Sequence, residues 1–463
     1  MAPAFLRKAW CPGILIRGVA ALVCGYVLLG ASSANALPSF ARQTGQGCPI
    51  CHLGGNWPAL TSFGRAFKLN GYTLSTGESD IPPLAIMLGP AFTNTRTSQP
   101  PEAAPQFGPN DNFSLEFASL FYGGKIIDSL GAFAQVTYSD TAKNFNWDNT
   151  DVRLTTPLQL FDHDLVVGAN FNNNPTVSDI YNTTPAFGFP FASASLAPKP
   201  AASTLIEGVL AQQVASLGVN SMLDDTLYTE VSLYKMLAKD TQRTLGIHPE
   251  GQTEIEGVAP YWRVALQHDW GEHSVEGGTY GLFANTFPSR IHEFGTDKFV
   301  DYGVDAQYQY NSDPHTAALY VNFIHEDQTL GASQAAGISA NSSNTLNSLK
   351  LTGSYFYSQD WSRYGFTVQY FSINGSKDTG LFTPGPISGS ANGSPNSRGW
   401  VFELDYLPFI NNPPLSFWPW AQVKLSLQYV AFTKFNGASR NFDGFGRDAS
   451  ENNTLFLLAW IAF

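Results

Sequence analysis

Cys48, Cys51 and His52 are the residues of this sequence whose types and spacing indicate a specific chemistry. They lie in the run Cys48-Pro49-Ile50-Cys51-His52, which is a C-x-x-C-H motif. Two thiols three positions apart can form thioether bonds to the two vinyl groups of a haem, and the imidazole that follows then lies beneath the iron as its proximal ligand. The motif therefore predicts one covalently attached haem c.

Two other kinds of site share the C-x-x-C spacing. A thioredoxin-like redox pair occurs in a βαβ context, and a structural zinc site needs two further Cys or His ligands nearby. Neither accompanies the motif, because the other two cysteines, Cys11 and Cys24, lie in the first 36 residues of the chain. The sequence favours haem over both alternatives.

Residues 1–36 have the features of a secretory signal peptide. The basic residues Arg7, Lys8 and Arg17 precede an apolar run that extends from Val19 to Leu29. Ala34-Asn35-Ala36 then matches an A-x-A cleavage site. The segment holds three basic and no acidic residues, so its removal changes the formal net charge from −12 to −15. Proteins that bind nucleic acid are normally basic, and we therefore expect no nucleic-acid partner.

A short helix is predicted after the motif, from Pro58 to Tyr72. Proline suits a first turn and Gly71 suits the C-terminal cap, while Leu60, Phe63 and Phe67 form one apolar face. Such a face is an ordinary hydrophobic core in the absence of a cofactor. Beside a haem, we expect Phe63 and Phe67 to exclude water from the porphyrin, which helps to set its reduction potential.

The sequence from 112 to 463 alternates apolar and polar residues in segments of about ten, separated by Asn, Gly, Ser, Asp and Pro. The clearest segments are 150–158, 299–310, 400–406 and 421–431. About 15 such segments occur, and bacterial barrels have even strand numbers. The run 84–92 is a candidate for the sixteenth. The predicted fold is all-β, a roughly 16-stranded transmembrane β-barrel of the outer membrane with a small N-terminal helical c-type cytochrome plug.

A soluble β-sandwich would also alternate, but three further features favour an outer-membrane barrel in contact with lipid. The polar stretches 173–203, 327–345 and 375–397 are expected to be external loops, and the chain ends on an aromatic residue, Phe463, which resembles an assembly signal of bacterial outer-membrane proteins. Aromatic residues near strand ends predict interfacial girdles. The tryptophans assigned to these girdles are Trp262, Trp270, Trp361, Trp400, Trp418, Trp420 and Trp460.

Acidic residues occur on the polar faces of the predicted strands, which would face the lumen. We expect them to form a wetted pore wall rather than an acid–base site. They are Glu116, Asp151, Glu230, Asp301, Asp305, Glu403 and Asp405.

Composition divides the chain into four parts: a signal peptide (1–36), a monohaem cytochrome plug (37–80), a Pro-rich connector with a possible first strand (81–111) and a porin-like barrel (112–463). The plug is too short for an ordinary free-standing core, because very small domains are marginally stable. We expect the barrel lumen to supply the missing wall of the haem site.

The sixth ligand of the iron is not specified by the motif. If Leu84, Ile86, Leu88 and Phe92 face lipid, Met87 faces the lumen and is a candidate distal ligand, because methionine is a known axial ligand that raises the potential. The alternative is that Met87 fills a gap in a core. Other histidines are candidates too, although each is better explained as a girdle, loop or turn residue: His163, His248, His268, His273, His292, His315 and His325.

The run Leu37–Gly45, the haem motif and the run Leu60–Tyr72 resemble the fused monohaem cytochrome–porins, a family that includes outer-membrane Fe(II) oxidases of iron-oxidising bacteria. The resemblance covers about 36 residues closely and the barrel only in pattern, and Ser62 stands where members often have proline. It implies a 16-stranded barrel plugged by the cytochrome, which passes single electrons inward from an extracellular donor. Relatives for which no iron donor is established share the same motifs, so an extracellular donor other than iron also agrees with the resemblance.

Three functions agree with the sequence. The first is an electron-transfer protein, similar to a one-electron Fe(II) oxidase, that takes electrons from extracellular Fe(II) and reduces a periplasmic cytochrome or cupredoxin. The second is a haem-plugged porin with a channel or redox-sensing role, and the third is an electron conduit for a donor other than iron. One-electron transfer needs no nucleophile or general base, and no catalytic residue is assigned.

Overall fold

The structure, a computed structural model, describes residues 37–55, 57–76, 82–100, 104–410 and 421–463. The predicted signal peptide, Trp418 and Trp420 lie outside the described residues.

The described residues form sixteen long antiparallel strands. They are β1 (Leu84–Thr95), β2 (Asn112–Ile127), β3 (Leu130–Ser139), β4 (Asn144–Leu160), β5 (His163–Asn172), β6 (Val214–Leu223), β7 (Leu227–Met236), β8 (Ala259–Trp270), β9 (His273–Phe287), β10 (Asp297–Ser312), β11 (His315–Thr329), β12 (Ser343–Gln359), β13 (Ser362–Gly375), β14 (Ser397–Leu407), β15 (Gln422–Lys434) and β16 (Thr454–Ala462). A two-residue strand, Glu254–Ile255, adds to the edge of β9. Strand β1 pairs with both β2 and β16, so the sheet is a closed barrel and the predicted strand number is confirmed.

The alternation of the strands separates the two faces of the barrel. In β14, for example, Glu403 and Asp405 point inward and are buried, whereas Trp400, Phe402 and Leu404 are exposed on the outside. An apolar exterior on a closed antiparallel barrel is the arrangement that a bilayer requires of membrane-spanning strands. The chain is therefore a β-barrel protein of the bacterial outer membrane.

The two ends of the barrel differ in the length of their connections. At one end, six turns of two or three residues join consecutive strands: 128–129, 161–162, 224–226, 271–272, 313–314 and 360–361. The first residue of β1 and the last of β16 lie at this same end, because Met87 pairs with Ala462. A longer connection, 408–421, joins β14 to β15 at this end too. At the opposite end every connection has four or more residues, and the long ones include 376–396 and 435–453. Short turns are periplasmic in outer-membrane barrels and long loops are extracellular.

The connection between β5 and β6, residues 173–213, folds into the barrel; we call it the inner loop. It contacts Gln369 of β13 and Gln428 of β15, whose side chains donate to the carbonyl oxygens of Phe189 (2.7 Å) and Ala192 (3.1 Å). Strand β13 lies eight strands from β5 in this sheet, so the inner loop crosses the lumen. The prediction of an external loop at 173–203 was wrong, because the lumen is itself polar and accepts a polar segment.

Most of the predicted acidic wall is buried in this packed interior. Arg263 forms ion pairs with Asp179 of the inner loop (3.1 Å), Glu276 (2.9 Å) and Asp305 (2.8 Å), and all four side chains are fully buried. Asp151 pairs in the same way with Arg153 at 2.8 Å. The inner loop contacts Asp301 and Asp305, and buried charges require partners. The expectation of a wetted pore wall was therefore wrong for six of the seven predicted acids, which are buried: Asp151, Glu230, Asp301, Asp305, Glu403 and Asp405.

Among the described residues, helices occur only in the N-terminal segment and the connections. The N-terminal segment, residues 37–55 and 57–76, contains α1 (Pro38–Thr44), α2 (Cys48–Cys51) and α3 (Ser62–Leu69). The connections contain α4 (Lys239–Thr244), α5 (Gly331–Ala335), a π-helix at Leu205–Val209, and 3-10 turns at Pro185–Phe187, Pro288–Arg290 and Ala449–Asn452, with one more at Leu53–Gly55 beside the motif. Among the described residues, no helix is long and apolar enough to cross a bilayer.

Helix α3 is shorter than predicted because capping residues end it on both sides. The Thr61 hydroxyl accepts a hydrogen bond from the Gly64 N–H at 3.2 Å and caps the first turn. At the other end, Asn70 is the C-cap residue and Gly71 follows it with a φ of 69°, a left-handed conformation that glycine adopts without steric cost.

The N-terminal segment lies inside the barrel near the short turns. The Gln43 side chain accepts a hydrogen bond from the Lys125 N–H at 2.8 Å, close to the end of β2. Arg65 of α3 binds Asp269 (2.8 Å) and Ser274 (2.6 Å), which flank the turn between β8 and β9. These contacts place the motif at the periplasmic end of the lumen.

Candidate haem-binding site

A cavity of about 480 Å³ lies between the N-terminal segment, the barrel wall and the inner loop. The N-terminal segment contributes Cys51, His52 and Phe67 to its lining, β1 contributes Met87, and the inner loop contributes residues 185–188, 190 and 191. Its volume falls within the range of cavities that hold drug-sized ligands and cofactors, about 300–1,000 Å³. We call it the motif cavity.

The C-x-x-C part of the motif forms the single turn of α2. Residues three apart lie on the same side of a helix, so Cys48 and Cys51 share one face of this turn. Both thiols are free and buried. Cys51 lines the motif cavity, whereas Cys48 packs against Ala41, Leu407 and Ile410 behind it. Cys51 and His52 thus line the cavity, whereas the Cys48 side chain is not part of the cavity lining.

The protonation of these thiols argues against a redox-active pair. Burial raises the pKa of Cys51 to about 12 and raises that of Cys48 well above its ordinary value. A reactive cysteine needs a lowered pKa, because the thiolate is the nucleophile. Among the described residues, no group of three or more His, Cys, Asp and Glu side chains is arranged to hold a metal ion.

His52 has the properties that a haem ligand requires. It lines the motif cavity, and its Nδ1 is buried without a hydrogen-bond partner among the described residues. Burial lowers the pKa of His52 to about 4, so the imidazole is neutral at neutral pH. The neutral imidazole is the form that binds a metal ion. The residues present therefore fit a c-type haem, except that the Cys48 thiol is not part of the cavity lining.

The structure separates the two phenylalanines assigned to the haem environment. Phe67 lines the cavity, is 5% exposed, and packs edge-on against Phe40 with ring centroids 5.0 Å apart. Phe63 is half-buried and is not part of the lining.

Met87 lies on the inner face of β1, and its neighbours Leu84 and Ile86 are exposed on the outer face. It lines the motif cavity, and its Sδ accepts a hydrogen bond from the Trp460 Nε1–H at 3.3 Å. None of the seven other candidate histidines lines the cavity. His163, for example, binds Asp224 at 2.6 Å beside a short turn.

Trp460 was assigned to an interfacial girdle, and the structure shows that this was wrong. It points into the lumen, is 3% exposed, and lines the motif cavity together with Trp57. Beyond Thr454, the inward residues of β16 are Phe456, Leu458, Trp460 and Ala462, and its outward residues are apolar too. Because both faces of this strand are apolar, alternation could not indicate which one faces the lumen.

Lys68 of α3 is a second residue of the lining that sequence reasoning missed. Its Nζ donates to the carbonyl oxygens of Val177 (2.7 Å) and Asp179 (2.6 Å) and to Asn182 Oδ1 (2.9 Å). The amine also lies 4.7 Å from the ring centroid of Phe187. Burial lowers the pKa of Lys68 to about 7. This one side chain joins the N-terminal segment to the inner loop.

One side of the motif cavity is polar. Ser119 Oγ and Thr137 Oγ1 lie 2.8 Å apart, and the Gln135 amide donates to both, at 3.1 Å and 3.0 Å. Ligand sites are mostly apolar with a few polar groups that fix the orientation of the ligand. The motif cavity has this mixed character.

No protein-family model matches this chain, and no curated protein sequence matches it significantly. Solved structures that are similar to it include OmpT, an outer-membrane protein of Vibrio cholerae, at 11% identity, covering 82% of this chain and 96% of that one with a TM-score of 0.43. An anion-selective porin from Comamonas acidovorans is 11% identical, covering 82% and 98%, with a TM-score of 0.43. OprB of Pseudomonas putida is 12% identical, covering 82% and 93%, with a TM-score of 0.46.

Proposed function

We propose that this protein is an outer-membrane c-type cytochrome that passes single electrons from an extracellular donor, Fe(II), to a periplasmic cytochrome or cupredoxin. In this proposal one haem c is bound through Cys48 and Cys51, with His52 as the proximal ligand. The observation that carries the proposal is a C-x-x-C-H turn whose neutral histidine and second cysteine line a cavity inside the barrel.

A c-type haem bound there supplies one-electron redox chemistry, and the surrounding chain controls access and potential. His52 offers an imidazole at the cavity wall whose Nδ1 has no hydrogen-bond partner among the described residues. Phe67 and Trp57, both at least nine-tenths buried, exclude water from the same space. Met87 offers a thioether from the barrel wall and is proposed as the distal ligand.

The position of the motif in the barrel supports electron transfer towards the periplasm. The N-terminal segment lies by the short turns, and Ile50, between the two cysteines, is 44% exposed. A periplasmic acceptor would thus approach within a few residues of the attachment site. In this proposal, an electron from the extracellular side reaches the cavity through the inner loop, whose Phe187 and Phe191 are part of the cavity lining.

A second candidate function is a haem-plugged porin with a channel or redox-sensing role. The closed sixteen-stranded barrel favours it, because barrels of this size form aqueous channels in porins. The inner loop and the buried ion pairs of Arg263 occupy the lumen in this structure, so such a channel would require the inner loop to move. A third candidate is an electron conduit whose donor is not iron.

Proteoliposomes that contain the holoprotein and a trapped, oxidised soluble cytochrome separate these candidates. With Fe(II) added outside under anaerobic conditions, we expect the trapped cytochrome to become reduced, and we expect no reduction with Cys51→Ala. Reduction by another donor but not by Fe(II) would support the third candidate. Liposome swelling in sugar solutions without electron transfer would support the porin.

A further inference from the structure

Trp460 lies beside Met87 in the lining of the motif cavity. It lies on β16, the last strand, and Met87 lies on β1, and these two strands form the seam at which the barrel closes. Met87 is opposite Ala462 in this pairing, so Trp460 is its diagonal neighbour. Diagonal neighbours of antiparallel strands lie within reach of aromatic side chains. The indole can therefore contact Met87 without any distortion of the sheet.

The indole of Trp460 is fixed by aromatic rings from three parts of the chain. Its ring centroid lies 5.1 Å from that of Trp57 in the N-terminal segment, 5.1 Å from that of Phe117 in β2, and 5.6 Å from that of Phe191 in the inner loop. The Lys424 amine lies 5.2 Å from the same ring. A side chain packed on this many sides has little rotational freedom, so the direction of its N–H group is set by the fold.

The fixed N–H group is directed at a sulfur atom. Trp460 Nε1 donates to Met87 Sδ at 3.3 Å, and both side chains are buried. A thioether is a weak acceptor, and a buried indole N–H normally pairs with a stronger one. The neighbouring indole of Trp57 differs from that of Trp460, because the buried Trp57 Nε1 has no hydrogen-bond partner among the described residues.

From this geometry we infer that Trp460 is a positioning residue for Met87: its N–H holds the thioether towards the motif cavity and tunes it as a haem ligand. The inference rests on the proposed function. A hydrogen bond to an axial sulfur withdraws electron density from it, which stabilises the reduced iron relative to the oxidised iron. Hydrogen bonds to ligands are one of the means by which a protein sets the potential of a metal centre.

The test compares two single substitutions in the holoprotein, Trp460→Phe and Trp57→Phe. Each removes one indole N–H and keeps an aromatic ring in the same stack. We expect Trp460→Phe to shift the reduction potential to more negative values and to weaken the absorption band of the ferric protein that reports iron–thioether ligation. Trp57→Phe measures the effect of lost indole bulk, because the Trp57 N–H has no hydrogen-bond partner among the described residues, and we expect smaller changes in it than in Trp460→Phe.

Three results overturn the inference, and each is distinguishable from a failure of the proposed function. Equal shifts of the reduction potential in both variants would show that lost indole bulk is the cause. An unchanged potential and absorption band in Trp460→Phe would show that the hydrogen bond has no influence. Absence of the thioether band from the unsubstituted protein would remove Met87 as a ligand while covalent haem is still present. A protein without covalent haem would instead contradict the proposed function itself. Heat-modifiable migration in electrophoresis verifies that each variant folds.

Discussion

Ile86 and Phe463 exchange two backbone hydrogen bonds across the seam of the barrel: the Ile86 N–H donates to the Phe463 carbonyl at 2.7 Å, and the Phe463 N–H donates to the Ile86 carbonyl at 3.0 Å. The last residue of the chain thereby joins the final strand to the first strand at the short-turn end. Closure matters in a bilayer, because an open edge would leave backbone groups without partners in an apolar medium.

Deletion of Phe463 should therefore reduce the amount of assembled barrel. It removes both bonds of this exchanged pair together with the terminal aromatic ring. The measurement is the fraction of the protein in the outer membrane that shows heat-modifiable migration. Phe463→Ala is the matched control, because it keeps the backbone pair and loses the ring. If the deleted protein assembles as well as the unsubstituted one, neither feature contributes to closure.

Cys51→Ala should abolish covalent haem staining after denaturing electrophoresis, because Cys51 is the cysteine that lines the motif cavity. Ile50→Val is the control, since Ile50 lies between the cysteines, is 44% exposed and is not part of the cavity lining. We expect the control to stain normally. Stain that persists in Cys51→Ala would contradict the assignment of the motif.

Met87→His should lower the reduction potential and slow the oxidation of Fe(II), while the haem stays attached. The physical reason is that a thioether ligand favours reduced iron more than an imidazole does. Met222→Leu is the control, because Met222 is a buried methionine of β6 that packs with Tyr228 and Ile180 instead. An unchanged spectrum and potential in Met87→His would show that Met87 is packing and that another group binds the iron.

Arg263→Met should destabilise the barrel strongly. The substitution leaves the carboxylates of Asp179, Glu276 and Asp305 buried without their cation. Removing one partner of a buried ion pair costs about 3–5 kcal/mol in the free energy of unfolding. Urea unfolding in detergent micelles measures this change. Arg243→Met, whose pairs with Asp240 and Glu250 are exposed, should change it little, and similar values for the two variants would contradict the account.

The free energy of unfolding should rise with pH between about 7 and 10 because of Lys68. Burial lowers its pKa to about 7 in the folded protein, whereas the unfolded chain keeps a value of about 10.5. Within this window the unfolded chain binds more protons than the folded one, so each rise in pH favours folding by at most about 1.4 kcal/mol per unit. Below pH 7 both states are protonated and this contribution is constant.

Lys68→Met should flatten this dependence, and Lys239→Met, at an exposed position of α4, should not. Unfolding free energies at pH 7 and pH 9 for the three proteins provide the comparison. If the unfolding free energy changes with pH equally in Lys68→Met and in the unsubstituted protein, the pKa of the Lys68 amine is not lowered by burial.

Much of the barrel could be predicted from the sequence because each membrane-spanning strand alternates with a period of two. In β14 and β15 one face is polar and the other apolar, so the sequence indicated both that the segment is a strand and which of its faces turns to the lumen. In β16 both faces are apolar, and Trp460 was consequently assigned to the wrong side. The inner loop was misplaced for a related reason: a polar composition does not distinguish a segment in water from one packed in a polar lumen.

The sequence predicted only those residues of the site that lie close together in the chain. Cys51 and His52 belong to one short motif, and both line the cavity. Trp460 is 373 residues from Met87, and Lys68 is 111 residues from Asp179, so no local pattern could reveal either contact. The register that closes β1 on β16 and the path of the inner loop create these contacts, and both are properties of the complete barrel.

Anaerobic mixing of the purified, oxidised holoprotein with Fe(II) shows directly whether the haem takes an electron from iron. We expect the absorption spectrum to change to that of a reduced c-type haem, one electron per chain, and we expect no such change with Cys51→Ala. A haem that remains oxidised in the presence of Fe(II), at every pH at which the barrel stays folded, would contradict the claim.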